Sequence, residues 1–163
     1  MLPYTRNARR HFEFENMELD EIIYTALRAD ESLMSLTGGR IVSTCFEVSP
    51  YETDDTQLPC LIILDDGIQN QPDSKDEEWE SDEDRVQSSV EIDGRSTSEV
   101  KQLRRMVRRA VARYIGHLTD IGEQVPTLES VQSNAIAWDW MKPCYHTVLT
   151  YNCVIDRADE QDE

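Results

Sequence analysis

The side chains most able to do chemistry are scattered along this chain. Its three histidines are His11, His117 and His146, and its four cysteines are Cys45, Cys60, Cys144 and Cys153. No histidine, with the cysteines and carboxylates near it, completes a known metal-ligand pattern, so the sequence predicts no metal site. The cysteines form no CxxC pair and read as buried thiols in a reducing cytoplasm. His117 falls near the end of a helix, where a partly positive imidazole suits the dipole. His146 alternates with Val148 and Thr150 along a strand. Glu91 and Asp93 share one strand face and could bring two carboxylates together, as in some nucleases with a divalent-metal requirement. The same spacing is that of an ordinary solvated face. Nucleophile-elbow, Walker and dinucleotide-binding patterns are absent, and no nucleophile, base and orienting group can be assembled. The expectation is therefore a protein without catalytic, cofactor-binding or metal-ligating residues, and not an enzyme.

Charge is more informative. The 163 residues include 33 acidic and 16 basic side chains, for a formal net charge of −17. That balance disfavours a protein that coats nucleic acid, because phosphates need a cationic surface. The charge is unevenly spread. Segment 95–113 carries a local charge of +6, which leaves about −23 for the rest of the chain. Its cations are Arg95, Lys101, Arg104, Arg105, Arg108, Arg109 and Arg113. Acid is densest at 73–84 (DSKDEEWESDED), where Asp73, Asp76, Glu77, Glu78, Glu80, Asp82, Glu83 and Asp84 surround a lone Trp79. Like charges this dense repel one another and resist burial, and a tryptophan among them has no local apolar surface to join, so it could anchor in a partner.

The elements that would carry these residues follow from periodicity. Residues 1–15 are a basic, aromatic arm with no regular period and no apolar core of a secretory signal. Asn16 to about Leu36 is helical, with Leu19, Ile22, Ile23, Ala26 and Leu27 on one stripe; Asp30-Glu31-Ser32 turns into a short second piece, and Gly38-Gly39 ends it. Arg40–Val48 is rich in β-branched residues and reads as a strand. Cys60–Leu64 is an apolar run suited to a central strand buried on both faces, and Asp65-Asp66-Gly67 should close it as a turn. Arg85–Asp93 alternates as a strand with one wet face.

Ser98–Leu118 is the clearest helix. Leu103, Met106, Val107, Ala110, Val111, Tyr114, Ile115 and Leu118 form its apolar side, Ser96 or Thr97 caps it, and Gly116, Gly122 and Pro126 break it. Leu128–Trp140 and Tyr145–Ile155 are the last strands, joined by a hairpin at Met141-Lys142-Pro143-Cys144. The reading is one α+β domain over 16–156, in the order α-β-β-β-α-β-β. It has a mainly antiparallel sheet of about four to five strands, two main helices on one face, an acidic insertion loop at 67–84 and a charged tail at 157–163. No apolar run approaches the roughly 20 residues that span a bilayer, so no membrane partner is expected.

The basic helix admits three readings: a phosphate-binding ridge of a nucleic-acid-binding module, a solvated cationic face, or a subunit contact. A chain with one +6 helix and one dense acidic stretch is complementary to a copy of itself. Head-to-tail contacts between unlike surfaces close into rings when the rotation permits, and charge complementarity sets their register.

The layout resembles the tail-terminator, or tail-completion, proteins of the neck of long-tailed bacteriophages. The resemblance covers about residues 18–156. It rests on an opening helix with a glycine turn and strand (LDEIIYTALRADESLMSLTGGRIVSTCFEV), a proline before a short apolar strand (LPCLIIL), an alternating strand running into a long helix (RVQSSVEIDGRSTSEVKQLRRMVRRAVARYI), and a closing strand pair (SVQSNAIAWDWMKPCYHTVLTYNCVID). The acidic insertion and the N-terminal arm depart from the family. The resemblance implies a homohexameric ring in the virion, assembled in the host cytoplasm. Such a ring caps the tail tube protein, stops tube polymerisation, meets the head-tail connector protein and lets DNA pass without specific binding. It implies no catalytic residues. On this reading Lys101, Arg104, Arg105, Arg108, Arg109, Arg113 and Trp79 belong to a subunit interface, and the acidic stretch faces a lumen or a partner.

Overall fold

A computed structural model describes residues 18–43, 57–70 and 83–156. Among them are three helices and six strands: α1 (Leu19–Arg28), α2 (Glu31–Thr37), β1 (Ile41–Ser43), β2 (Cys60–Gln69), β3 (Glu83–Gly94), α3 (Thr97–Asp120), β4 (Thr127–Ser133), β5 (Ala137–Asp139) and β6 (Cys144–Asp156). The strands form one sheet in the order β1-β2-β3-β6-β4, with β5 also paired to β6. Only the β1–β2 pair is parallel, so the expected α+β fold with a mainly antiparallel sheet is the one observed.

The helices α1 and α3 pack on one side of this sheet. Leu19, Ile23, Ala26 and Leu27 of α1 meet Leu103, Val107, Ala110 and Val111 of α3 over Leu61, Ile63, Val90, Ile92, Leu149 and Tyr151. Each such aliphatic side chain removed from water contributes about 1.5–3 kcal/mol, so the stripes read from sequence are the stripes that hold the layers together. Helix α1 begins at Glu18, whose side chain makes no capping bond; the expected cap, Asn16, lies outside the described residues. Asp30 starts α2 by accepting a bond from the Leu33 amide at 2.9 Å, and Gly38, at φ 60°, ends it in the left-handed conformation.

Several boundaries differ from expectation, each for a local reason. Asp65-Asp66-Gly67 does not end β2. Asp65 Oδ1 accepts from the Gly67 amide at 2.9 Å, Gly67 takes φ 106°, and the register against β3 shifts there. The turn chemistry thus builds a β-bulge and the strand continues to Gln69. Residues 67–69, Glu83 and Asp84 therefore belong to strands rather than to the acidic loop. Glu83 pairs with Asp156, and Asp84 accepts from Asn70 Nδ2 at 2.7 Å.

Helix α3 starts one residue earlier than expected, because Ser96 caps it through the Glu99 amide at 3.1 Å. Glu99 Oε1 in turn accepts from the Arg95 amide at 2.9 Å. Gly116 lies inside the helix rather than breaking it, and the chain turns only at Gly122, φ 80°. The single strand expected over 128–140 is split in two. Asn134 interrupts it and occupies the partner positions on β6, accepting from the Val148 amide through Oδ1 at 2.8 Å and donating its own amide to Val148 O at 3.3 Å. Trp140 lies beyond β5, its ring edge-on to Trp138 at 5.9 Å. Of the strand expected at 40–48, residues 44–48 lie outside the described residues. So do the arm, the tail, Cys45, Trp79, Asp73, Asp76, Glu77, Glu78, Glu80 and Asp82.

Candidate functional site

The basic helix presents its charge outward. Lys101, Arg105, Arg108, Arg109 and Arg113 are exposed, whereas Arg104 is half-buried and donates to Ser133 Oγ at 3.0 Å on β4. Between α3 and β4 lies an open groove of about 670 Å³. Its floor is Val111, Ile115, Leu128, Val131 and Tyr151, and Arg105, Arg108 and Arg109 stand around it. Leu128 is 43% exposed. The Tyr151 hydroxyl is buried beneath it with no hydrogen-bond partner among the described residues, and burial pushes its pKa up. Strand β4 bonds to β6 on one side and is the end of the described strand order, so its other backbone edge can accept a strand.

The opposite face of the sheet holds a second constellation. Along β3, side chains alternate: Val86, Ser88, Val90 and Ile92 turn to the helices, and Gln87, Ser89, Glu91 and Asp93 turn away. This second row is not the wet face expected. Ser89 and Asp93 are buried and Glu91 is half-buried. Asp93 is 1% exposed and sits between Cys60 of β2 and His146 of β6, its direct partners in register. Glu91 stands one step along, and Lys142 reaches over both. Lys142 Nζ donates to Glu91 Oε2 at 3.1 Å and lies 3.8 Å from Asp93 Oδ2. His146 Nδ1 lies 4.0 Å from Glu91 Oε1.

Local chemistry holds this arrangement. Asp139 Oδ1 accepts from the Met141 and Lys142 amides at 2.9 and 3.3 Å, which fixes the turn that carries Lys142. Those two bonds hold the Asp139 carboxyl below its ordinary pKa. Burial, then repulsion from Glu91, raises Asp93 to about 7, against the pull of Lys142. Burial pulls Lys142 down, but the Glu91 carboxylate and its hydrogen bond, with Asp93, outweigh that and leave it raised. Burial and the neighbouring Asp93 push Cys60 up to about 11 and Cys144 up to about 12, so both are protonated thiols with little nucleophilic character.

The structure thus brings Glu91 and Asp93 together with two residues, Lys142 and His146, that sequence reasoning left apart. Strands β3 and β6 are separated by a helix and two strands, so no local spacing links Asp93 to His146. Only the antiparallel register does, and the single sequence signal available was the matching alternation of the two strands. His117, by contrast, is exposed at the end of α3, and Cys60, Cys144 and Cys153 are free and buried. No helix among the described residues is long and apolar enough to cross a membrane. No protein-family model matches the chain, and no curated protein matches it.

Proposed function

We propose that the chain is a structural, non-enzymatic subunit of the neck of a long-tailed bacteriophage, and within that class a tail terminator. In this role it assembles head-to-tail with copies of itself as a hexameric ring in the virion. The ring caps the tail tube protein, stops its growth, meets the head-tail connector protein and lets DNA through its lumen.

The observation that carries this reading is the surface shared by α3 and β4. It combines an apolar groove, a rim of exposed arginines and a strand edge left unpaired among the described residues. Those are the parts of a specific interface: an apolar centre, a charged rim and a backbone that can pair. The complement is read from the sequence, where 73–82 supplies six acidic residues and Trp79. The net charge of −17 also suits a channel for DNA, since an acidic wall gives phosphates no counter-charge to hold.

The test is reversal of Arg105, Arg108 and Arg109 to glutamate, followed by electron microscopy of assembled tails. The expected result is tails of uncontrolled length that fail to join heads. Normal-length, DNA-filled particles would overturn the interface. Salt-sensitive DNA binding by the wild-type chain, lost on the same reversal, would reassign α3 to a nucleic-acid-binding module.

A further inference from the structure

The face of the sheet turned away from the helices has no part in the proposed ring contact, and it carries an unusual burial. Glu91, Asp93 and His146 each offer one ligand atom, and the three atoms lie within 4.8 Å of one another. A carboxylate pair alone would be an ordinary feature of a strand. Two further observations set this one apart. Asp93 is 1% exposed, and among the described residues neither of its carboxylate oxygens has a hydrogen-bond partner, the Lys142 ammonium lying 3.8 Å away. His146 Nδ1 is likewise buried without one. Buried polar atoms are satisfied in the great majority of cases, and exceptions call for an explanation such as an ion. Here the unsatisfied atoms converge on one another.

We propose that Glu91, Asp93 and His146 form a binding site for one divalent transition-metal ion, of the class of Zn²⁺. The donor set decides the class. Two carboxylate oxygens and one imidazole nitrogen suit zinc, whereas magnesium and calcium take oxygen alone. Bonds of about 2.0–2.2 Å to such an ion require the donors to close by roughly 1 Å, within reach of the half-buried Glu91 side chain. Three protein donors leave a fourth tetrahedral position to water.

Lys142 is the built-in competitor. Its ammonium lies 3.1 Å from Glu91 and 3.8 Å from Asp93, where it supplies the positive charge the carboxylates need in the metal-free chain. Its flexible stem hangs from an exposed turn, so it can withdraw when an ion enters. The site is therefore one in which a metal ion and a lysine exchange over the same carboxylates. Metal entry would displace Lys142 from both carboxylates, while Asp139 keeps the turn that carries it.

The experiment is calorimetric titration of Zn²⁺ into the full chain after treatment with chelator, with Co²⁺ absorption as a second readout. The wild type should bind one ion per chain, and Co²⁺ should give the visible bands of a low-symmetry nitrogen–oxygen site. Asp93→Asn and His146→Gln should each weaken binding at least about tenfold, as loss of one ligand does. Lys142→Met should strengthen it, because the competing charge is gone. That gain is the result a purely structural ion pair would not give. Chelator-treated melting curves check that each variant folds; should Asp93→Asn not fold, His146→Gln and Lys142→Met carry the test. Binding that is absent, or equal in wild type and His146→Gln as expected of the acidic stretch alone, would overturn the site.

Discussion

The outer face of α3 and the far face of β3 are both charged, yet they handle charge in opposite ways. On α3 five cations stand in solvent, while Leu103, Val107, Ala110 and Val111 carry the buried side of the helix. Among the described residues none of the five makes an ion pair. On β3 two carboxylates lie under a lysine and beside a histidine, one of them almost wholly out of water. That burial is costly unless the charge is paired or titrated away. The difference teaches where each kind of substitution will register. Changes on α3 should alter what the protein associates with and leave its stability alone. Changes on β3 should alter stability, its pH dependence and metal binding, and leave association alone.

The largest effect should fall on the layer between the two. Leu149 is fully buried beside its register partner Val90 in the core shared with the helices, and Leu149→Ala should cost about 2–5 kcal/mol in chemical denaturation. A cost well under 1 kcal/mol would mean that the sheet and helices are not packed as described.

Next comes the pH dependence set by Asp93 in metal-free protein. Its carboxyl faces Glu91, Lys142, Asp139, His146, Cys60 and Cys144. The folded chain keeps the proton up to about 7, whereas the unfolded chain loses it near the ordinary value of 3.8. Between these values the folded state holds more protons, so Asp93 contributes stability at low pH that is lost as the pH rises toward 7. Most carboxylates slope the other way. Subtracting the urea-denaturation profile of Asp93→Asn from that of the wild type should isolate a falling contribution across this window. A flat difference would show that Asp93 titrates normally.

Smaller effects sharpen the contrast. Ser96→Ala removes the cap of α3 and should cost about 1 kcal/mol without changing association. Reversing Arg105, Arg108 and Arg109 should shift stability by only about 0.5 kcal/mol per site. The smallest change should follow Glu129→Ala. Arg85 Nη1 donates to both of its carboxylate oxygens, at 2.7 and 3.0 Å, on the surface, and such pairs contribute about 0–1 kcal/mol.

Much of the fold was legible because periodicity is a local property. The stripes on α1 and α3, the cap at Ser96, the turn at Gly38 and the alternation along β3 are all written within a dozen residues. What was misread depended on distant neighbours. Asp65-Asp66-Gly67 has the composition of a turn and becomes a bulge because β3 continues beside it. The row Ser89, Glu91 and Asp93 has the polarity of a wet face and becomes buried, with Cys60 and His146 flanking Asp93 and Lys142 reaching over it. Asn134 breaks a strand because β6 offers the bonds it completes. The basic face of α3 was readable as charge, but the groove beside it needed β4 to supply Leu128 and Val131. His146 as a partner of Asp93 was unreadable from spacing, since it depends on the pairing of two strands more than fifty residues apart.

The central claim is that the α3–β4 surface joins copies of this chain. Native mass measurement of the purified chain, alone and with the tail tube protein, tests it directly when wild type and the Arg105, Arg108 and Arg109 reversal are run side by side. The account predicts a closed assembly for the wild type, six copies on the proposed reading, and folded single subunits for the reversal. Identical masses for the two proteins would contradict it.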